Sequence, residues 1–192
     1  AYGYGAAVTN ATTFAMMDRL GIAQYLSRIG LLIDGNTGES LTTAKQSWMD
    51  DPVWQPLRKH CEDSFVVQDW FELFVAQNLV TDGLLYPLVY GRFAGELSQT
   101  GGAVVSMLTE FMDEWYAESV KWVDAFVKTA AAESPENKHL LSQWVRDGTM
   151  RATEALTPLA KLMYLEDAQP ALDEARVALL ARVAKTGLHV HT

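Results

Sequence analysis

The sequence is poor in the residues that several functional classes require. Cys61 is the only cysteine, which excludes an intramolecular disulfide framework and fits a reducing cytosol. The 24 aspartates and glutamates outnumber the 15 lysines and arginines, and the formal net charge is −9. Since nucleic acids and anionic membranes attract basic surfaces, neither is an expected partner. No apolar run reaches the roughly 18 residues of a membrane helix and no signal peptide is visible, so we expect a cytoplasmic protein.

Catalytic signatures are also missing from the sequence. It contains no Walker loop, no GxGxxG, GxSxG or HExxH motif, and no cysteine pattern for zinc. Alternating segments bounded by hairpin turns, which are typical of β-strands, are absent as well. The chain has 192 residues and is 49% hydrophobic, which is enough for a sizeable core. We therefore predict an all-α fold, a large bundle of long helices with additional shorter helices, in one domain over residues 1–192.

Hydrophobic periodicity predicts where the helices lie. The predicted helices cover residues 3–34, 41–49, 56–81, 84–93, 103–131, 135–145 or beyond, and 169–185. Turn-forming residues predict breaks at 34–38, 50–52 and 99–102. Glycine and proline predict weaker irregularities, which are expected at Gly21, Asp82-Gly83, Pro87, Gly148 and Pro158.

The stretch 52–97 is apolar on most of its helical circumference, which predicts burial inside a bundle or against another protein. Its apolar residues include Phe65, Val66, Val67, Trp70, Phe71, Leu73, Phe74, Val75, Leu79 and Val80. Acidic residues are threaded through it, and Asp69 and Glu72 are candidate buried carboxylates, with Glu62 seven residues before Asp69. Neither has a histidine on the same face, because His60 points elsewhere. We therefore favour ion pairing with Arg58, Arg92 or lysines over a catalytic role, since a buried charge is costly unless paired.

Histidine pairs are weak metal-site candidates. Glu136 and His139 form the one Glu-x-x-His pair, a spacing that di-iron bundles use in two copies. However, Ser134 and Pro135 predict a helix start there, and the helix dipole explains an acid in its first turn. His189 and His191 form a terminal His-x-His that we interpret as a frayed tail. Cys61 and its neighbour His60 diverge by roughly 100° on a helix, so we interpret Cys61 as a buried thiol and not a nucleophile.

The helix predicted over 103–131 has one apolar and one charged face. The apolar stripe contains Val104, Leu108, Phe111, Met112, Trp115, Trp122, Val123 and Phe126, and the opposite face contains Glu110, Asp113, Glu114, Glu118, Lys121, Asp124 and Lys128. The row Glu110, Glu114, Glu118 is either a solvated face or a docking surface for a basic partner, and both interpretations stay open.

Four long stretches carry a family resemblance. They are AYGYGAAVTNATTFAMMDRLGIAQYLSRIGLLID at 1–34, WQPLRK at 54–59, VVQDWFELFVAQNLVTDGLLYPLVYGRF at 66–93 and GGAVVSMLTEFMDEWYAESVKWVDAFVKTAAAES at 101–134. Together they resemble the β subunit of bacterial multicomponent di-iron monooxygenase hydroxylases, in the phenol hydroxylase branch. Such β subunits are longer, so the resemblance implies the C-terminal portion of one.

The resemblance implies a ferritin-like helical β subunit that lacks iron ligands. It implies a di-iron α subunit and a small γ subunit in an α2β2γ2 hydroxylase, with an effector protein and an NADH-dependent reductase carrying FAD and an iron–sulfur cluster. The chain itself is then expected to have no catalytic, cofactor-binding or metal-ligating residues, and burial of Trp70, Phe71 and the Pro87 region would position the α subunit. Two alternatives stay open: a helical interaction module unrelated to oxygenases, and a self-contained di-iron protein.

Overall fold

The computed structural model describes residues 5–99 and 101–190, and none of these residues forms a β-strand. The chain divides into two compact units, one ending at Gln55 and the other beginning at Pro56. The all-α prediction of long helices with additional shorter ones is confirmed. The prediction of one domain over residues 1–192 stays a prediction.

The first unit contains two helices joined by a tight turn. Helix α1 (Ala6–Ile33) passes through Gly21 without a break, and α2 (Glu39–Asp50) follows. The Asp34 carboxylate accepts hydrogen bonds from the backbone N–H of Ser40 at 2.9 Å and of Thr37 at 3.1 Å. These bonds, that from Ser40 above all, lower the pKa of Asp34. The predicted turn is confirmed; residues 3 and 4 of the predicted first helix lie outside the described residues.

The helix predicted over 56–81 is interrupted, so this prediction is wrong. Helix α3 (Gln55–Asp63) ends in a short 3-10 turn (Ser64–Val66), and the backbone is extended at Val67 and Asp69. A new helix, α4 (Trp70–Phe74), begins because the Asp69 side chain accepts the backbone N–H of Phe71 at 2.8 Å and of Glu72 at 3.3 Å. Asp69 is thus the N-cap of α4 and not part of a longer helix.

From α4 the chain continues as a composite helix over residues 70–99. It comprises α4, a first π segment (Val75–Thr81), α5 (Asp82–Tyr86), a second π segment (Pro87–Phe93) and α6 (Ala94–Gln99). Asp82 and Gly83 therefore lie inside a helix. Pro87 begins the second π segment, which agrees with the prediction that its missing N–H disturbs the regular α-helical hydrogen bonds. π-helical turns are rare and frequently lie at functional sites.

Three long helices complete the second unit: α7 (Ala103–Glu133), α8 (Pro135–Tyr164) and α9 (Ala168–Lys185). The predicted start of α8 is confirmed, because the Ser134 hydroxyl accepts the backbone N–H of Asn137 at 3.0 Å. Gly148 and Pro158 do not interrupt α8. A Cβ on Gly148 would meet a Val80 methyl group at 3.6 Å, so this glycine lies where the first π segment packs on α8.

The core of the second unit surrounds α8 and an aromatic cluster. The cluster joins α4, α7 and α8 through Trp70, Phe71, Phe74, Trp122, Phe126 and Trp144. Burial differs from the sequence prediction at the interruption, where Phe65 is 84% and Val66 is 70% exposed. Val104 and Val177 are exposed as well. The 3-10 turn points Phe65 and Val66 outward, whereas an unbroken helix would have placed them in the predicted apolar face.

Candidate functional site

The acidic residues singled out from the sequence serve local structure. Asp69 is exposed and caps α4, so the prediction that it is a buried carboxylate is wrong. Glu62 accepts a hydrogen bond from Arg58 Nε at 2.8 Å, and Glu72 Oε1 lies 4.0 Å from Arg151 Nη2. Arg58 thus pairs with Glu62, and the cation facing Glu72 comes from α8. A pairing role for Glu72 is in line with the favoured interpretation.

The N-cap at Asp69 has a sequence signature. Asp69 is followed three residues later by Glu72, which is the acid spacing of a capping box ahead of an apolar run. The dense apolar periodicity on both sides obscured this helix start. The signal was present in the sequence, and it locates the interruption correctly.

Replacing Asp69 by alanine is expected to lower the free energy of unfolding by about 1 kcal/mol, because the first turn of α4 loses its side-chain acceptor. Asp69→Asn, which keeps an acceptor oxygen, is the matched control and should cost only a few tenths as much. Urea unfolding followed by circular dichroism measures both variants. Equal losses for alanine and asparagine would contradict the capping role.

His60 and Cys61 occupy half-buried positions on α3. The His60 Nε2 atom lies 3.0 Å from the Thr81 hydroxyl of the first π segment. Burial lowers the pKa of His60, the charge of Arg151 lowers it further, and Asp63 acts in the opposite direction. Burial raises the pKa of the Cys61 thiol, with a further contribution from Glu62. A thiol with a raised pKa is a poor nucleophile at neutral pH, as the sequence interpretation expects.

The remaining sequence candidates lie at the surface. Glu136 and His139 are exposed near the start of α8, where Glu136 occupies the first turn. His189 is exposed and its backbone N–H donates to the Ser142 hydroxyl at 3.2 Å, while His191 lies outside the described residues. Among residues 5–99 and 101–190, no three His, Cys, Asp or Glu side chains come together so that they could hold a metal ion. The described residues therefore do not fit a di-iron centre, and the predicted absence of metal ligands from the whole chain stays a prediction.

The row Glu110, Glu114, Glu118 is exposed on α7, and Glu118 pairs with Lys121 at 2.5 Å. Asp124 was expected on the same solvated face, and this expectation is wrong. It is half-buried and accepts a hydrogen bond from Arg182 Nε of α9 at 2.7 Å.

Arg182 is the centre of a polar cluster that sequence reasoning missed. Besides Asp124, its Nη1 donates to the Tyr116 hydroxyl at 3.1 Å, and the guanidinium carbon lies 5.8 Å from the Tyr116 ring centroid. Tyr116 stacks on Tyr86, with 5.5 Å between ring centroids. Burial raises the pKa of Asp124 more than Arg182 lowers it. Nothing in the local sequence of α9 announces this cluster, because its members are 58 and 66 residues apart.

Tyr164 is a second missed residue, and it holds the second π segment. Its hydroxyl donates to the backbone carbonyl of Leu88, and the Arg92 guanidinium lies 5.0 Å from its ring centroid. Arg92 in turn pairs with Glu96 and Glu174, each at 3.0 Å. Burial raises the pKa of Tyr164 to about 12, with Glu96 contributing in the same direction.

Tyr164→Phe is expected to cost about 1–3 kcal/mol of stability, because the Leu88 carbonyl loses a buried hydrogen-bond donor. The pKa of about 12, compared with 10.0 for an ordinary tyrosine, also predicts a pH effect. Between these values the unfolded state loses its proton first, so the tyrosine contribution declines as the pH rises above about 10. Urea unfolding between about pH 8 and 11 measures both effects. A phenylalanine variant as stable as the parent, with an equally steep alkaline decline, would contradict this assignment.

Helix α1 exposes large apolar side chains although it is 28 residues long. Phe14 is 71%, Met17 58%, Leu20 61% and Leu32 66% exposed. Scattered exposed apolar residues are normal, whereas a helix that carries this many is typical of a surface that packs against further protein. No described helix is long and apolar enough to cross a membrane.

Comparisons with known proteins agree with the helical architecture. The methane/phenol/alkene hydroxylase family model matches residues 1–134. The chain is 55% identical over 185 residues to the oxygenase component DmpL of phenol 2-monooxygenase from Pseudomonas sp. strain CF600, which covers 95% of this chain and 54% of DmpL. It is 26% identical over 114 residues to the β subunit of the toluene-4-monooxygenase hydroxylase component from Ectopseudomonas mendocina, covering 58% of this chain and 35% of that protein.

A solved structure has the same fold. The crystal structure of xenon-pressurised phenol hydroxylase from Pseudomonas sp. OX1 superposes with a TM-score of 0.86 at 49% identity, covering 91% of this chain and 52% of that chain. The chain spans about half the length of the curated phenol 2-monooxygenase component that it matches. The resemblance to the phenol hydroxylase branch is confirmed. On this evidence the chain belongs to the methane/phenol/alkene hydroxylase family.

Proposed function

We propose that this chain is part of the non-catalytic β subunit of a di-iron phenol or aromatic monooxygenase hydroxylase. The observation that carries the proposal is the 55% identity to an oxygenase component over 95% of the chain. A more distant relative bears the name of a hydroxylase β subunit, which supports the assignment to a β and not an α chain.

The environments of the acidic residues support a non-catalytic role. A di-iron site in a helical bundle needs several inward-pointing carboxylates with paired histidines. Here Asp69 caps a helix, Glu62 and Glu72 face arginines, and Glu136 is exposed. Their oxygen atoms are engaged in local structure or face solvent. We therefore assign the di-iron centre, which activates O2 for ring hydroxylation, to a partner α subunit.

The role of this chain is then mechanical. The composite helix 70–99 packs against α7, α8 and α9, and the aromatic cluster joins α4 to α7 and α8. Such an interior is close-packed and rigid. The exposed apolar side chains of α1 support a chain that packs against further protein. A rigid helical body of this kind positions a neighbouring subunit without contributing reactive groups.

The proposed assembly is an α2β2γ2 hydroxylase in the cytoplasm. Its α subunit holds the iron and selects the substrate, its γ subunit is small, and an effector protein and a reductase complete the system. The reductase carries FAD and an iron–sulfur cluster and takes electrons from NADH. This chain then binds no cofactor of its own.

Co-expression of the complete β chain with its cognate α and γ chains tests the proposal. We expect the three chains to co-purify, iron to remain with α after the subunits are separated, and α without β to lose phenol hydroxylation. Iron that stays with the isolated β chain would favour a self-contained di-iron protein. A fully active α subunit without β would contradict the scaffold role.

Two substitutions sharpen the experiment. Glu72→Gln and Glu136→Gln remove carboxylates that are the best remaining candidates for iron ligands in this chain. We expect both variants to keep the iron content and hydroxylation rate of the parent complex. Loss of iron in either variant would assign a ligand to this chain and overturn the proposal.

A further inference from the structure

His60 connects two elements that the sequence alone predicts as one helix. It lies on α3, and its Nε2 atom is 3.0 Å from the Thr81 hydroxyl on the first π segment. That hydroxyl already donates its proton to the Ala76 carbonyl at 2.8 Å. Because a hydroxyl has one proton, Thr81 accepts from His60. Neutral His60 therefore carries its proton on Nε2, and a second proton would go to Nδ1.

Opposing charges surround this histidine. Arg151 of α8 acts on His60 and disfavours its protonated form, whereas Asp63 of α3 favours it. Asp63 is engaged by Lys59 at 2.5 Å, and Glu72 of α4 is 4.0 Å from Arg151. The neighbouring Cys61 has a raised pKa and stays neutral. The first π segment offers His60 the uncharged Thr81. Protonated His60 therefore adds a cation to a half-buried site that already faces Arg151.

Few other contacts hold α3 in place. Leu57 is the one buried residue among the nine residues of α3. The segment that follows, 64–69, is a 3-10 turn and an extended stretch with Phe65 and Val66 exposed. An element with few buried apolar contacts opens at low free energy. The His60–Thr81 hydrogen bond is thus a substantial part of what attaches α3 to the composite helix.

We propose that His60 is a pH-sensitive latch, which holds α3 on the first π segment when neutral and releases α3 and segment 64–69 when protonated. In the released state His60 has the ordinary pKa of a solvated histidine, whereas in the latched state the charged form is disfavoured. The released state therefore binds more protons, and opening increases as the pH falls below about 6.5. The increase ends below the pKa of the latched state.

Hydrogen exchange of the complete chain, followed by mass spectrometry of peptides covering 56–69, tests the latch. The reference is His60→Gln, which keeps an N–H donor for Thr81 and does not titrate. Comparing the two proteins at the same pH cancels the intrinsic pH dependence of exchange. We expect the exchange rate of the parent relative to His60→Gln to rise severalfold from about pH 7.5 to pH 5.5, up to tenfold for each unit by which folding lowers the pKa.

Two further variants separate the latch from a general acid effect. His139→Gln, which replaces an exposed histidine on α8, should keep the full pH response of the parent. Arg151→Met removes the facing cation and should reduce the rise at low pH. The proposal is overturned if exchange of 56–69 has the same pH dependence in the parent and in His60→Gln. It is also overturned if His139→Gln abolishes the response.

Discussion

Replacing Phe74 by alanine is expected to lower the free energy of unfolding of the second unit by about 3–5 kcal/mol. Phe74 is 4% exposed, and its ring centroid lies 5.0 Å from that of Phe126 and 5.6 Å from those of Phe71 and Trp122. Its removal leaves a cavity between α4 and α7 and deletes three ring contacts, each worth about 0.5–1.5 kcal/mol beyond the buried area.

Phe65→Ala is the matched control for this loss. Phe65 lies nine residues earlier but is 84% exposed, so its removal should change the stability by no more than about 0.5 kcal/mol. Urea unfolding followed by the fluorescence of the tryptophans and by circular dichroism compares the two variants. Similar losses for Phe65→Ala and Phe74→Ala would mean that segment 64–69 is packed and that the described interruption is wrong.

The sequence predicts well those features that depend on neighbouring residues. The start of α8 follows from Ser134 and Pro135, whose capping bond reaches only to Asn137. The turn after α1 follows from Asp34, which bonds backbone groups within six residues. The ends of α7 follow from Gly101 and Ser134 in the same way. Helix boundaries of this kind are local, so residue type and spacing suffice.

The interruption before α4 shows where local reasoning has two answers. The apolar periodicity across 56–81 favours one helix, and the spacing of Asp69 and Glu72 favours a new start. The structure follows the capping signal, which leaves Phe65 and Val66 outside the core. The choice depends on packing, because α3 is tied to Thr81 by His60 and α4 is tied to α7 by its aromatic rings. A single unbroken helix is incompatible with both attachments.

The candidate sites depend even more on tertiary contacts. The partners of Tyr164 and Arg182 are 58 to 82 residues distant along the chain or its neighbours' helices. No spacing rule connects residues at such separations. The sequence did correctly identify the family, because the four matching stretches are long. The family resemblance and not the side-chain pattern therefore supplied the functional prediction.

The Arg182 cluster is the place where one polar substitution is expected to cost most. Arg182→Met should lower the free energy of unfolding by about 2–4 kcal/mol, because it leaves Asp124 half-buried without its facing cation and removes the donor to Tyr116. The pKa of Asp124 should rise further, since Arg182 is the main group that lowers it. The surface pair Arg146–Asp147 offers the matched control, and Arg146→Met should cost at most about 1 kcal/mol.

A double-mutant cycle separates the charge effect from the loss of packing. Asp124→Asn in the Arg182→Met background removes the uncompensated carboxylate, so the double variant should be more stable than Arg182→Met alone. Denaturant unfolding of the four proteins at neutral pH gives the coupling energy. If the two substitutions were simply additive, Arg182 would act through packing on Tyr116 and Gly83, where a Cβ would meet Leu179 at 2.8 Å, and not through its charge. A coupling of about 1 kcal/mol or more would instead mean that this ion pair fixes α9 against α7, the contact on which the rigidity of the proposed scaffold depends.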